Sequence, residues 1–487
     1  MEKKEKGLSV WQLTMLALGT VVGGSFFLGS AVALHAAGPS IVLAFAFGGI
    51  LVYFILSALS EMTVASPVEG SFRSYAARAF GQGTGFVVGW VYWTGMILGM
   101  SSEATAASIL IRTWLPGLPL SVLGSAIILA VTLLNLLGTD KLSNLESGLA
   151  AIKLFAIISF IFLALALIAG LLPGLPPVGA GSLAGEPFFA GGIPGLAGSM
   201  LIVMFSYSGF EIIGLAASET SRPRETIPKA IRYTVICLVS LYIVAVGLIL
   251  PLIPTAALNE NTSPIVAALD GRGIGWAGAA INIVLITAIL STMLATMFGL
   301  GRTIRSLAEE GLAPKWLWEN KDVPRRGILF SGLCMLLALG LGLLFPRVYL
   351  FLLSAGGFSV LFTYAAIMAT HIRLHKKTGC PPGGKYQIWG FPYTSVFTLA
   401  ALLTAIASMP FVPGQASGLV AGGIIVLFFI LYYAAYRLAR GGKKTFETRR
   451  MRYFRKTQPE LAAELSRELS SLSPRETGAM DGGPLGD

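Results

Sequence analysis

From residue 11 to residue 440 the chain is a succession of about twelve apolar runs, most of them near the ~20 residues that a helix needs to cross a bilayer. This pattern leaves few folds open. Within lipid every backbone N–H and C=O must be paired, so only helices and closed barrels span a membrane. Barrel strands alternate apolar and polar residues over ~10 positions, and these runs do not alternate. The expected fold is all-α and integral to the membrane. Spans are placed near 11–35, 39–62, 84–111, 119–138, 146–171, 195–218, 230–253, 276–305, 328–345, 348–372, 392–412 and 417–440.

Composition agrees. Only 12% of the 487 residues are charged, against about 25% in soluble domains, and the mean hydropathy is +0.76. The net charge of +11 is confined to particular loops rather than spread over a soluble face, which argues against nucleic acid as a partner. With the N-terminus in the cytoplasm, one set of loops carries Arg73, Arg78, Lys141, Arg222, Arg224, Lys229, Arg305, Lys315, Arg325, Arg326, Arg373, Lys376 and Lys377. The opposite set carries Arg112, Arg272 and Arg347. Such asymmetry places both termini in the cytoplasm of a multi-pass cell-membrane protein. The first apolar stretch is too long for a cleaved signal peptide. Cys237, Cys334 and Cys380 share no metal or disulfide spacing and are read as packing residues.

Two spans are interrupted. Span one contains Gly19-Thr20-Val21-Val22-Gly23-Gly24-Ser25, and span six contains Phe205-Ser206-Tyr207-Ser208-Gly209. Breaks at matching positions of two halves point to a transporter site at the bilayer midplane. They imply a five-plus-five inverted repeat, about 11–171 and 195–372, followed by two extra helices, about 392–440. Residues 1–10 are a cytoplasmic N-terminus and 441–487 a basic cytoplasmic tail. In the tail, Arg449, Arg450, Arg452, Arg455 and Lys456 suit anionic lipid. Leu461, Leu465, Leu469 and Leu472 recur at helical spacing. A solvated tail without any such role fits the same residues.

The free N–H groups of a half-helix start suit a carboxylate, and the free carbonyls of a half-helix end suit an ammonium. Gly23, Gly24 and Ser25 are assigned to the carboxylate. Val21, Val22, Phe205, Ser206, Tyr207 and Ser208 are assigned to the carbonyl set, with Gly209 at the break. Small residues at a helix–helix interface are the plainer account of any one of these glycines. Ionisable residues within spans are costly and functional by default. Glu103, Lys153 and Glu211 are candidates for proton coupling or for a static ion pair, and Glu61 is read as interfacial. His35, His371 and His375 are read as lacking metal spacing, so no metal site and no cofactor are expected. No nucleotide-phosphate or nucleophile motif is present, and an enzyme is not expected.

Four stretches carry a resemblance. They are Pro67-x-x-Gly70-Ser71-Phe72-x-x-Tyr75-Ala76 with Gly81, Tyr92-Trp93 followed by Glu103-Ala104-Thr105-Ala106, Glu211-Ile212-Ile213-Gly214 with Thr226-Ile227-Pro228-Lys229-Ala230-Ile231, and Leu307-Ala308-Glu309-Glu310-Gly311-Leu312-Ala313-Pro314-Lys315. In this order they resemble the bacterial amino acid permeases of the amino acid–polyamine–organocation superfamily, over about residues 8–440. The resemblance implies the five-plus-five fold, alternating access, and the substrate α-carboxylate on Gly23, Gly24 and Ser25. It implies Phe205 as an aromatic lid. The substrate is expected between spans one and six, with spans three, eight and ten shaping the side-chain pocket. Lys153 matches a lysine that stands for a cation in proton-driven relatives, and Glu211 a proton-sensing carboxylate. Gly-Gly-Ser replaces the more usual Gly-Thr/Ser-Gly, which shifts the hydroxyl by one position. The function expected is import of an amino acid, of neutral side chain, by proton symport. An amino acid exchanger and a non-transporting amino-acid receptor are the alternatives, and the oligomeric state is left open.

Overall fold

The computed structural model describes residues 9–65, 71–211, 213, 223–321, 323–378 and 388–439. Span 1 is divided into α1 (Val10–Val21), α2 (Gly24–Phe27) and α3 (Gly29–Ala37). Then come α4 (Ile41–Ala65, span 2), α5 (Ser71–Phe80), α6 (Gln82–Ile111, span 3), α7 (Leu120–Asn135, span 4) and α8 (Thr139–Ala169, span 5). The second half has α9 (Gly192–Ser206, span 6), α10 (Pro223–Leu252, span 7), α11 (Pro264–Asp270), α12 (Gly275–Glu309, span 8), α13 (Arg325–Gly342, span 9) and α14 (Val348–Thr378, span 10). Two more spans follow, α15 (Tyr393–Ala407, span 11) and α16 (Ala416–Ala439, span 12). Among the described residues, eight helical stretches are long and apolar enough to cross a membrane, with Gly24–Ala65 counted as one. Val10–Val21, Leu120–Asn135, Gly192–Ser206 and Tyr393–Ala407 are shorter apolar helices. The molecule is an all-α multi-pass membrane protein.

Local chemistry sets the helix ends. Ser9 caps α1 by accepting from the Gln12 N–H, while Gln12 Oε1 accepts from the Ser9 N–H. This reciprocal box satisfies two donors that the first turn leaves free. At the far end Val22 and Gly23 are extended, and the chain resumes as helix only at Gly24. Gly170 closes α8 in the left-handed conformation.

The packing carries the internal repeat. Span 3 lies against span 10 as span 8 lies against span 5. Span 2 meets span 6 as span 7 meets the start of span 1, and span 4 meets span 3 as span 9 meets span 8. Each pair becomes the other when a span is replaced by the one five places along. Spans 1 and 6 occupy the middle, where α3 packs on α9. Around them the rings of Phe26 and Tyr242 stack at 3.9 Å between centroids, and Phe45 and Tyr207 meet edge to face at 6.0 Å.

Two expectations change. The stretch after residue 70, read as loop, contains helix α5. Phe72, Tyr75, Ala76 and Ala79 recur at helical spacing and are its buried face. Arg73 is buried with them and pairs with Glu310 at the end of span 8, and its Nη2 also donates to Ser306 Oγ at 3.2 Å. Cys237 is exposed on the surface of span 7 rather than packed inside, whereas Cys334 is partly buried and packs against the core, as expected. Cys380, the residues 66–70 of the resemblance and the tail from 441 lie outside the described residues.

Spans 3 and 10 approach backbone to backbone. A Cβ added at Gly356 would sit 2.9 Å from the Gly99 nitrogen and 3.0 Å from the Gly95 carbonyl oxygen. Close helix approach through small residues replaces the hydrophobic drive that lipid does not supply. Gly356→Leu is expected to cost about 1–3 kcal/mol or more by overpacking. A lowered thermal unfolding midpoint in detergent, with reduced yield of monodisperse protein, checks it.

Candidate functional site

At the span 1 break, α1 loses its last carbonyl partners and α2 begins with free N–H groups. Both sets are occupied by side chains of this chain. The Gly24 N–H donates to Glu103 Oε2 at 2.6 Å and the Ser25 N–H to Glu103 Oε1 at 3.0 Å. Glu103 comes from the middle of span 3 and is 2% exposed. A carboxylate therefore lies across two adjacent amides at a helix start, an arrangement that favours negative charge.

On the other side of the break, Lys153 of span 5 is fully buried. Its ammonium donates to the Gly19 carbonyl, to the Val22 carbonyl at 3.2 Å and to Thr292 Oγ1 at 2.9 Å. The Thr292 hydroxyl donates to the same Val22 carbonyl at 2.8 Å. An ammonium has three donors, and each meets an oxygen here. Val22 thus serves Lys153, as well as being one of the carbonyls assigned from sequence to a ligand. Thr292, in span 8, was not singled out in the sequence. A hydroxyl in an otherwise apolar run was the available signal, but many such hydroxyls bond their own helix.

Gly24 is required by close approach. A Cβ there would lie 2.6 Å from Glu103 Oε2 and 3.1 Å from Ile289 Cγ1. A Cβ on Gly23 would meet Thr292 Oγ1 at 3.2 Å and Glu103 Oε2 at 3.3 Å. Gly23, Gly24, Ser25, Glu103, Lys153 and Thr292 therefore form one constellation.

In span 6, α9 stops at Ser206 and turns follow through Glu211. Gly209 has φ +106°, a region that side-chain-bearing residues rarely adopt, and a Cβ there would meet the Thr20 carbonyl oxygen at 3.0 Å. Thr20 Oγ1 is 3.3 Å from the Gly209 carbonyl, so the two breaks touch. Ser206 Oγ donates to the Ser25 carbonyl at 3.0 Å, and the Ser206 carbonyl accepts from the Tyr242 hydroxyl at 3.2 Å. Tyr207 turns away from the constellation and donates to the Phe45 carbonyl at 3.0 Å. Phe205 is buried with its ring against Gly99 of span 3. Ser208 is partly exposed and donates to the Phe205 carbonyl at 2.7 Å. Val21 is buried at the end of α1.

Glu211 engages a different set. Tyr92 of span 3 donates to its Oε1 at 2.9 Å, and Tyr364 of span 10 to its Oε2 at 3.2 Å. The Gly209 N–H reaches Oε2 at 3.1 Å. Phe210 stacks on the Tyr364 ring at 5.0 Å. Two phenols and one amide satisfy this buried carboxyl group on the span 6 side, apart from the bonds made by Lys153 and Glu103.

Glu61, near the end of span 2, has its side chain buried within the protein. It is 3% exposed and lies between His371 and His375. The two histidines are four residues apart on span 10, so they share one helical face. That spacing was legible in the sequence and was passed over. His35 is exposed.

The sequence matches the family described as amino acid permease over residues 12–448. It is 31% identical over 446 residues to the gamma-aminobutyric acid permease of Bacillus subtilis (strain 168), covering 90% of this chain and 95% of that one. It is also 31% identical over 415 residues to the aromatic amino acid transport protein AroP of Corynebacterium glutamicum, covering 83% and 89%. With the gamma-aminobutyric acid permease of Escherichia coli (strain K12) the identity is 29% over 430 residues, covering 87% and 92%. The matched stretch runs from the first helix to beyond the last, through the span 1 break, Glu103, Lys153 and Glu211, and the chain belongs to the amino acid permease family of the amino acid–polyamine–organocation superfamily.

Proposed function

We propose that the chain imports an amino acid across the cell membrane by proton symport and alternating access. The observation that carries this reading is the carboxylate of Glu103 on the Gly24 and Ser25 amides. Those amides already hold a carboxylate within the protein, so the α-carboxylate of a substrate has a seat of the right chemistry and must compete with Glu103 for it. The family membership and the named amino acid substrates of the relatives favour an amino acid as the competitor.

Proton coupling follows from the same exchange. A carboxylate stripped of its donors in a dry interior is costly as an anion. When the substrate carboxylate takes the two amides, Glu103 is neutralised by a proton or pairs with the substrate ammonium. Lys153 holds the carbonyls at the end of α1 with a fixed cation, which removes the need for a sodium ion there. Glu211 sits on the other broken span and supplies a second proton-accepting group. The acidic groups of this region are engaged by protein donors, which favours a neutral substrate side chain over a cationic one. The cytoplasmic placement of both termini rests on the distribution of Lys and Arg among the loops.

Uptake of labelled amino acids into proteoliposomes tests the proposal. An inward proton gradient is expected to drive accumulation in the parent protein. Lys153→Ala is expected to abolish accumulation while substrate binding persists. Accumulation that ignores the gradient but needs preloaded amino acid overturns symport in favour of exchange, and binding without any uptake indicates a receptor.

Two further outcomes follow from the geometry. Gly24→Ala forces a methyl group against Glu103 and Ile289. It is expected to lower apparent substrate affinity by about tenfold or more, equivalent to ~1.4 kcal/mol, measured by competition against labelled substrate. In the parent protein the methyl ester of a transported amino acid should fail to compete, because it lacks the carboxylate. Tyr364→Phe removes one of the two phenol donors to Glu211. It is expected to cost about 1–3 kcal/mol by leaving a buried acceptor short of a partner, read from the unfolding midpoint in detergent.

A further inference from the structure

Away from the helix breaks, one buried cluster plays no part in the transport reading. Glu61 lies in the last turns of span 2, and His371 and His375 lie near the end of span 10. Glu61 Oε1 is 2.5 Å from His375 Nδ1, and Glu61 Oε2 is 3.2 Å from His371 Nε2. One ligand atom from each of the three residues can be chosen so that all lie within 4.8 Å of one another. Two ligand atoms on an ion with ~2.0–2.2 Å bonds lie about 3.3 Å apart in tetrahedral geometry. To hold an ion the widest pair closes by up to about 1.5 Å, while the Glu61–His375 pair opens by about 0.8 Å.

His371 supplies the second observation. It is 1% exposed, and its Nε2 makes no aligned hydrogen bond despite the nearby carboxylate oxygen. Its other nitrogen, Nδ1, is 3.2 Å from the Ser395 hydroxyl. If Nδ1–H donates to Ser395, the Nε2 lone pair points into the cluster beside a carboxylate. In that tautomer a cation between the two acceptors relieves their repulsion; in the other, an Nε2–H faces Glu61 Oε2 and Nδ1 accepts from Ser395. An outer hydrogen bond on the second imidazole nitrogen is the usual way a metal-binding histidine is oriented. The carboxylate is oriented too, because the Ile388 N–H donates to Glu61 Oε2 at 3.0 Å. Phe391 stacks on the His375 ring at 3.8 Å and closes the side of the cluster.

We propose that Glu61, His371 and His375 form a binding site for a divalent transition-metal ion of zinc-like chemistry. Two imidazoles and one carboxylate are a borderline-soft set that takes Zn²⁺ with a further position left for water, and a hard ion such as Mg²⁺ is a poor match. The ion ties the end of span 2 to the end of span 10 and to the segment that enters span 11. It would therefore resist any separation of those helices. The site is independent of the amino acid site, and its failure leaves the transport reading untouched.

The test uses the full-length protein in detergent, with any histidine tag removed and Zn²⁺ as the probe in isothermal titration calorimetry at neutral pH. One Zn²⁺ per chain is expected, with affinity reduced at least tenfold in His371→Ala, His375→Ala and Glu61→Gln. If a variant does not fold, X-ray absorption of the Zn²⁺-loaded parent protein gives the ligand set directly, expected to be two imidazoles with oxygen. Mg²⁺ should produce no comparable heat. Absence of stoichiometric Zn²⁺ binding, or Zn²⁺ binding that the three substitutions leave unchanged, overturns the proposal and leaves a proton as the cation of the cluster.

Discussion

A buried ammonium holds the centre of this molecule together. Removing Lys153 from water costs several kcal/mol unless its three donors find acceptors, and an intact apolar helix has none to offer. Span 1 supplies them by ceasing to be helical. The carbonyls of Gly19 and Val22, freed at the end of α1, receive the ammonium together with the Thr292 hydroxyl. The break and the lysine satisfy one another. Without the break, Lys153 would be an unpaired charge in the membrane interior. Without the lysine, the Gly19 carbonyl would lose this donor and the Val22 carbonyl would keep only Thr292. Spans 1, 5 and 8 are thereby fastened at one point.

The opposite pole of the same break is answered by Glu103. Its carboxylate on the Gly24 and Ser25 amides ties span 3 to span 1, so the two half-helix ends present charges of opposite sign a few residues apart. A zwitterion has the same polarity. Under the proposed reading, the carboxylate of such a ligand displaces Glu103 from the two amides, and its ammonium is then available to the freed Glu103 carboxylate. Span 6 contributes less directly. Its turn is held by Glu211 and by two tyrosines from spans 3 and 10, which binds the second broken helix to the spans that flank the first.

Particular residues show how much of this was readable in the chain. The spans, the breaks at Gly23-Gly24 and near Gly209, and the cost of Lys153 within a span all follow from local rules of length, hydropathy and backbone freedom. Tyr207 and Val22 show what local rules leave out. Both were assigned to ligand carbonyls because they lie at a break; that the Tyr207 hydroxyl meets the Phe45 carbonyl, and that the Val22 carbonyl receives Lys153 and Thr292, no local rule gives. Helix α5 was read as loop although its apolar spacing was present, and the i, i+4 pair His371 and His375 was set aside.

The sequence by itself determined an all-helical membrane chain with two interrupted spans in matching places. Those properties depend on neighbours within one or two turns and on the thickness of a bilayer. The tertiary structure alone decided which groups meet. Gly24 and Glu103 are 79 residues apart, Lys153 and Thr292 139, and Glu61 and His375 314. No local pattern encodes such pairings. They arise because buried charges and free backbone groups in a dry interior must find partners wherever the packing of the helices brings them.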